Sequence, residues 1–229
     1  MRYCLFIVLA TSFFFSDCKN KVVSDKPITN LPIKLKKEIP LTYDTTLWAD
    51  IGQLDTTILL DMKYATEDNF VKEKMYECGR CFVRPAVAKV ILEAQQQLQK
   101  ENLGLKMFDC YRPKPVQERL WKKVPDANYV APPWEGSMHN RGVAIDLTIV
   151  DAKGNELDMG TPYDFFGEEA HHTYTKHPNE VKANRKKLKS LMESLSLEPI
   201  RTEWWHYSYR KEEYPISEMV WDCDNATVE

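Results

Sequence analysis

No dense basic stretch runs through this sequence outside a lysine-rich segment near its start, and the formal net charge is −3. Such a chain cannot neutralise a phosphate backbone, which argues against nucleic acid as a partner. The apolar run Cys4–Phe15 falls short of the ~20 residues that a lone helix needs to span a bilayer. No internal repeat and no low-complexity block occurs, so solenoid and compositionally biased architectures are excluded. Cys78-Gly-Arg-Cys81 has no second C-x-x-C to complete a zinc knuckle. Nor does an obvious helix follow it, as a redox motif would require.

What is present fits a well-packed domain rather than a disordered chain. The 229 residues are 43% hydrophobic, 28% charged and 11% aromatic, with six tryptophans. That length suits one sizeable core, or at most two small ones. Met1-Arg2-Tyr3 followed by the apolar run has the form of a secretory signal. It ends at Phe15-Ser16-Asp17-Cys18, which resembles a lipoprotein signal whose cysteine, Cys18, becomes the lipidated N-terminus; Asp17 departs from the usual small residue there. Residues 1–17 are therefore expected to be a signal peptide, 18–41 a proline-broken tether, and 42–229 the folded domain. The expected compartment is the periplasm or cell envelope, with membrane contact only through the lipid anchor. Four cysteines remain, Cys78, Cys81, Cys110 and Cys223. In an exported domain they read as two disulfides with three pairings open.

Along the domain, Asp55–Lys63 reads as a strand and Tyr64–Phe70 as the loop leaving it. Arg84-Pro85 opens a helix, with proline in the first turn and Val87, Val90, Ile91, Ala94 and Leu98 on one face; Gly104 is its expected stop. Leu105–Cys110 alternates as a strand, Val116–Val124 forms a short helix, and Pro125–Trp134 is loop. Val143, Ile145, Leu147 and Ile149 face the core from the next strand, while Ala144, Asp146 and Thr148 share a face expected to line a cleft. Asp151–Asn155 is a hairpin turn, Pro178–Leu195 a long helix, and Arg201–Tyr209 an aromatic strand. The fold class that follows is α+β, a mostly antiparallel sheet with flanking helices.

Chemistry concentrates in two short motifs, Ser137-Met-His-Asn-Arg-Gly-Val-Ala-Ile-Asp146 and Glu203-Trp-Trp-His206. Zinc favours nitrogen and oxygen ligands, and a catalytic site keeps one position open. His139, Asp146 and His206 satisfy that requirement for one zinc ion per chain, and Glu203 is the expected base. Residues three apart on a regular strand point to opposite faces, so Glu203 and His206 need either a bulge at Trp204-Trp205 or a Glu203 outside the strand. His171-His172 and His177 form a rival cluster, but they lie in a polar stretch read as a loop at the rim.

These motifs resemble the S-x-H-x-x-G-x-A-x-D and E-x-W-H signatures of the zinc D,D-peptidase superfamily. Lys63–Phe70, Asp109–Lys114, Asp158–Phe165 and Asn184-Arg185 look like its D-alanyl-D-alanine dipeptidase (VanX-type) branch. The resemblance covers about Asp55 to Tyr209. It implies a zinc D,D-peptidase-like fold and hydrolysis of the small dipeptide D-alanyl-D-alanine to two D-alanine, in peptidoglycan metabolism. It also implies that Arg112 stabilises the transition state and that Tyr64, Ser137 and Asp164 line the dipeptide pocket, Asp164 meeting the substrate ammonium. Two alternatives stand beside it: a carboxypeptidase or endopeptidase acting on longer stem peptides, and a metal-bearing binding module without catalysis. The free carboxylate of Glu203 speaks against the last.

Overall fold

The alternating run from Val143 builds the central strand, and the sheet assembles on both sides of it. The computed structural model describes residues 43–221 except 128, together with 223; the expected signal, the Cys18 lipidation site and the whole tether lie outside the described residues. In chain order the strands are β1 (Ala49–Asp50), β2 (Leu59–Leu60), β3 (Phe82–Val83), β4 (Leu103–Asp109), β5 (Ala144–Asp151), β6 (Leu197–Pro199) and β7 (His206–Tyr209). The helices are the single turn α1 (Ile51–Leu54), then α2 (Pro85–Gln99), α3 (Lys114–Lys123) and α4 (Asn179–Ser194). The main sheet has the order β2-β4-β5-β7-β6, and β1 pairs with β3 apart from it. Only β2 runs parallel to its neighbour β4; every other pairing is antiparallel. This is the α+β architecture expected, with α2 packed on β4 and α4 on β6.

The helices follow their apolar stripes. Pro85 occupies the first turn of α2, and Val87, Ile91, Ala94 and Leu98 are buried. Helix α4 buries Val181, Leu188 and Met192 and, unexpectedly for such a stripe, Arg185. Its guanidinium donates from Nε to Met159 O at 2.6 Å and from Nη1 to His171 O at 3.3 Å. It thereby ties both ends of the loop that carries Tyr163 and Asp164.

Four expectations need correcting. Only Leu59–Leu60 of the Asp55–Lys63 run is strand, because Asp55 Oδ1 accepts from the N–H (2.8 Å) and hydroxyl (2.6 Å) of Thr57, a side-chain turn that competes with sheet pairing. Gly104 does not stop α2; it lies inside β4 against the Gln95 side chain, and Asn102, at φ 57°, makes the turn. The last strand is His206–Tyr209, because β6 pairs antiparallel with β7 and leaves residues 200–205 as their connection. Finally, β5 is covered on both faces: Ala144 and Thr148 are as buried as Ile145 and Leu147, and only Asp146 of its second face reaches a cavity.

The four cysteines resolve as Cys78–Cys223 and Cys81–Cys110. The first holds the C-terminal segment, where Trp221 packs against Tyr76, Phe82 and Tyr111. The second is buried beside the ends of β3 and β4.

Candidate metal centre and its pocket

Sheet register brings the candidate ligands together. Asp109, Asp146 and His206 form one row across three strands, Asp109 opposite Asp146 and Asp146 opposite His206. The row depends on a register shift in β4 between Met107 and Asp109, which re-aims the end of that strand toward the site. The irregularity thus lies in β4, and of the two arrangements expected for Glu203 the second holds: it precedes β7 and is free of its alternation, with no bulge at Trp204-Trp205.

His139 arrives from a short 3₁₀ turn, His139–Arg141, ended by Gly142 at φ 75°. Only glycine fits there, since a Cβ would lie 2.4 Å from the Trp48 ring. His139 Nδ1 is 2.7 Å from Cys110 O, so it carries the proton and donates it, leaving the Nε2 lone pair directed at the cluster. Nε2 lies 3.2 Å from His206 Nδ1 and 3.4 Å from Asp146 Oδ1, and those two atoms are 3.0 Å apart. Ser208 Oγ sits 3.0 Å from His206 Nε2, and the Tyr163 hydroxyl donates to Asp146 Oδ2 at 3.0 Å. Each donor is therefore oriented by a partner behind it, as metal ligands are. Among the described residues this is the one group of three His, Cys, Asp or Glu that could hold a metal, with all ligand atoms within 4.8 Å of one another. Two imidazoles and a carboxylate, all buried and converging on one small space, fit zinc. His171, His172 and His177 do not assemble a rival set; His177 Nε2 instead lies 2.7 Å from Glu169 O.

The burial of these groups shapes their charge. Burial works against an ionised Asp146, yet His139 and His206 overcome it and hold the carboxylate far below its usual range. Glu203 Oε2 lies 3.9 Å from His206 Nδ1. Burial pushes its pKa up; His206 opposes this, Asp146 reinforces it and Arg112 opposes it, and the result is about 7.

Arg112 pairs with Asp109 and also lines the cavity. Nη2 and Nε donate to Asp109 Oδ2 at 2.7 and 3.1 Å, and Nη1 donates to Gln117 Oε1 at 3.0 Å. One Nη1 and one Nη2 proton remain for the cavity. The guanidinium stacks 5.1 Å from the Tyr64 ring centroid. Asp164 stands at φ 57°, a strained conformation for a residue other than glycine, and accepts from the Tyr64 hydroxyl at 3.0 Å. Burial, then the charges of Asp146 and Glu203, raise its pKa well above the carboxylate range. The place therefore favours a cation beside it.

All eight residues singled out by sequence, His139, Asp146, His206, Glu203, Arg112, Tyr64, Ser137 and Asp164, line one cavity of about 490 Å³. Sequence reasoning missed Tyr163, which holds Asp146, and Asp109, which lies beneath Arg112 and 3.7 Å from His139 Nδ1. Both sit inside motifs that carried the resemblance, Asp158–Phe165 and Asp109–Lys114.

An α+β sheet presenting two imidazoles, a carboxylate and a separate glutamate in one cavity is the architecture of a zinc metallopeptidase. Comparison with known proteins narrows this class. The model of peptidase family M15, described as D-ala-D-ala dipeptidase, matches residues 45–221, and the chain belongs to that family. It is 33% identical to a D-alanyl-D-alanine dipeptidase of Escherichia coli, over 79% of this chain and 94% of that protein. It is 36% identical to one of Enterococcus faecalis, over 68% and 87%, and 34% identical to one of Enterococcus faecium, over 69% and 88%. A solved D,D-pentapeptidase in complex with Zn(II) matches 56% of this chain and 73% of its own, at 14% identity and a TM-score of 0.37, a likeness too slight to carry an argument.

Proposed function

We propose that this protein hydrolyses the D-alanyl-D-alanine dipeptide to two D-alanine in the cell envelope. His139, Asp146 and His206 hold the zinc, and Glu203 and Arg112 act on the reacting groups. The observation that carries this reading is the shared cavity, in which Asp164, the ligand set, Glu203 and Arg112 surround one space.

Bound to its three ligands, zinc supplies Lewis-acid polarisation to water and to a peptide carbonyl. Glu203, with a pKa near neutrality, takes a proton from the attacking water and returns it to the leaving amine. Arg112, fixed by Asp109 and Gln117, offers its remaining N–H groups to the oxygen on which negative charge develops. Such donors act best when they need no reorganisation. Asp164 accepts the substrate ammonium, which relieves the cost of its own burial. Tyr64 and Ser137 complete the wall.

A second cavity of about 370 Å³ shares Tyr129, Thr202 and Glu203 with the first, and it is the feature that favours the second reading, a carboxypeptidase or endopeptidase acting on longer stems. Purified zinc-loaded protein offered D-Ala-D-Ala, L-Ala-L-Ala and a stem pentapeptide separates the two. Cleavage of D-Ala-D-Ala alone is expected; cleavage of the pentapeptide alone overturns the dipeptidase reading.

Export and lipidation at Cys18 belong to the same proposal, supported by the N-terminal sequence and by two disulfides, which persist in oxidising compartments. An exported enzyme meets wall-derived dipeptide, so the proposed role is salvage. Metabolic labelling with a fatty acid tests the anchor, and loss of label in Cys18→Ala is the expected result.

A further inference from the structure

Three chain segments meet behind His139, and each touches the other two. Residues 81–84 bond to 109–112 through Tyr111 N–H to Phe82 O at 2.8 Å. They bond to 139–142 through Arg84 N–H to Gly142 O and Arg84 Nε to Arg141 O, both at 2.9 Å. Residues 109–112 bond to 139–142 through Arg112 N–H to His139 O at 3.1 Å and through the Cys110 carbonyl, which accepts from His139 Nδ1 at 2.7 Å. The Cys81–Cys110 disulfide is the covalent link in this group, and both of its residues are fully buried.

We propose that the Cys81–Cys110 disulfide is a positioning element for the zinc ligand His139 and for Arg112, beyond any contribution to global stability. The proposal rests on the zinc assignment above. The physical reason lies in the Cys110 carbonyl. It selects the tautomer of His139 and aims the ring, and Arg112 follows it by two residues along the same backbone. Each backbone hydrogen bond around it is worth only ~1 kcal/mol net, so hydrogen bonds alone hold that carbonyl softly. A crosslink at Cys110 itself fixes it. Loss of a group that orients a metal ligand lowers metal affinity by about 10–100-fold. The Cys78–Cys223 crosslink secures the C-terminal segment, which meets the His139 turn through hydrogen bonds alone, Ser217 N–H to Asn140 O at 2.9 Å and Arg141 Nη1 to Tyr214 O at 2.8 Å.

The test compares Cys81→Ala/Cys110→Ala with Cys78→Ala/Cys223→Ala. Zinc affinity is read by competition with a chelator, metal geometry by the absorption spectrum of the cobalt-substituted protein, and turnover by kcat and KM on D-Ala-D-Ala. Folding is checked by circular dichroism. The first variant keeps the Cys110 carbonyl but frees it, so it is expected to bind zinc up to about tenfold more weakly, the lower bound for losing such a partner outright, to show an altered cobalt spectrum, and to lower kcat more than it raises KM. The second is expected to melt earlier while its zinc affinity and spectrum stay closer to wild type than those of the first, because its segment reaches the His139 turn only through single hydrogen bonds. A folded first variant with unchanged affinity and spectrum overturns the proposal, as does an equal loss in both variants. Wild-type protein that takes up no zinc overturns the metal assignment and the proposal with it. Should the alanine pair fail to fold, Cys81→Val/Cys110→Ala refills part of the volume and is judged by the same outcomes.

Discussion

Glu203 and Asp164 are two buried carboxylates in one cavity, and their surroundings give them different work. Glu203 has the neutral-range pKa that suits a proton carrier. Replacing it with alanine should lower kcat on the order of 10²–10⁴-fold while zinc stoichiometry stays at wild type; full activity would remove it from the mechanism. Its raised pKa also fixes a sign. Folded Glu203 titrates at about 7 against an ordinary 4.5, so the folded state holds that proton more tightly than the unfolded one. This contribution to stability is present below about pH 4.5 and is lost as pH rises through about 7. Zinc-free Glu203→Gln, which never ionises, should therefore melt a few degrees above the zinc-free wild type near pH 8 and level with it near pH 4. The opposite order would contradict the burial argument. Asp164→Asn removes the proposed partner of a substrate ammonium. Truncating one side of such a buried pair costs about 2 kcal/mol or more, so KM on D-Ala-D-Ala should rise by about 30-fold or more with kcat less affected.

At the level of elements, the centre depends on two backbone irregularities. One is the register shift near the end of β4, which brings Asp109 opposite Asp146. The other is the left-handed Gly142, which ends the His139 turn under the Trp48 ring. A methyl at Gly142 adds conformational strain and a clash, together about 2–5 kcal/mol. Gly142→Ala should therefore show a lower denaturant midpoint and weaker zinc binding, because His139 shares the displaced turn. Unchanged stability would mean that Trp48 moves aside freely. The Glu203–His206 problem is resolved at the same level. With residues 200–205 serving as the β6–β7 connection, the two side chains escape strand alternation and face one cavity.

For the molecule as a whole, zinc is a ligand of the folded state alone, since its donors come from the His139 turn, β5 and β7. Free zinc at a hundredfold over its dissociation constant should stabilise by about 2.7 kcal/mol, which for a domain of this size is roughly 5–10 °C in melting temperature. Chelation should reverse that shift, and His206→Ala should abolish it. A melting temperature indifferent to zinc in the wild type would contradict the site.

The α+β class and the proposed ligands and base were legible in sequence because their determinants are local, whereas Arg112, Tyr64, Ser137 and Asp164 came from the resemblance, and all eight line one cavity. Apolar periodicity marks α2, β4, β5 and α4, and His139, Asp146, Glu203 and His206 are chemically distinctive residues at short spacings. The pairing of four cysteines, the covered second face of β5, the shortened last strand and the roles of Tyr163 and Asp109 were not legible. Each depends on which segments lie side by side, and sequence spacing does not determine that. Asp109 and Asp146 become neighbours only through strand register, and Cys110 stands behind His139 only because the end of β4 meets the His139 turn. The sequence by itself determined which groups could do the chemistry; only the tertiary structure decided which carbonyl, hydroxyl and crosslink hold them in place, because those contacts join segments distant along the chain.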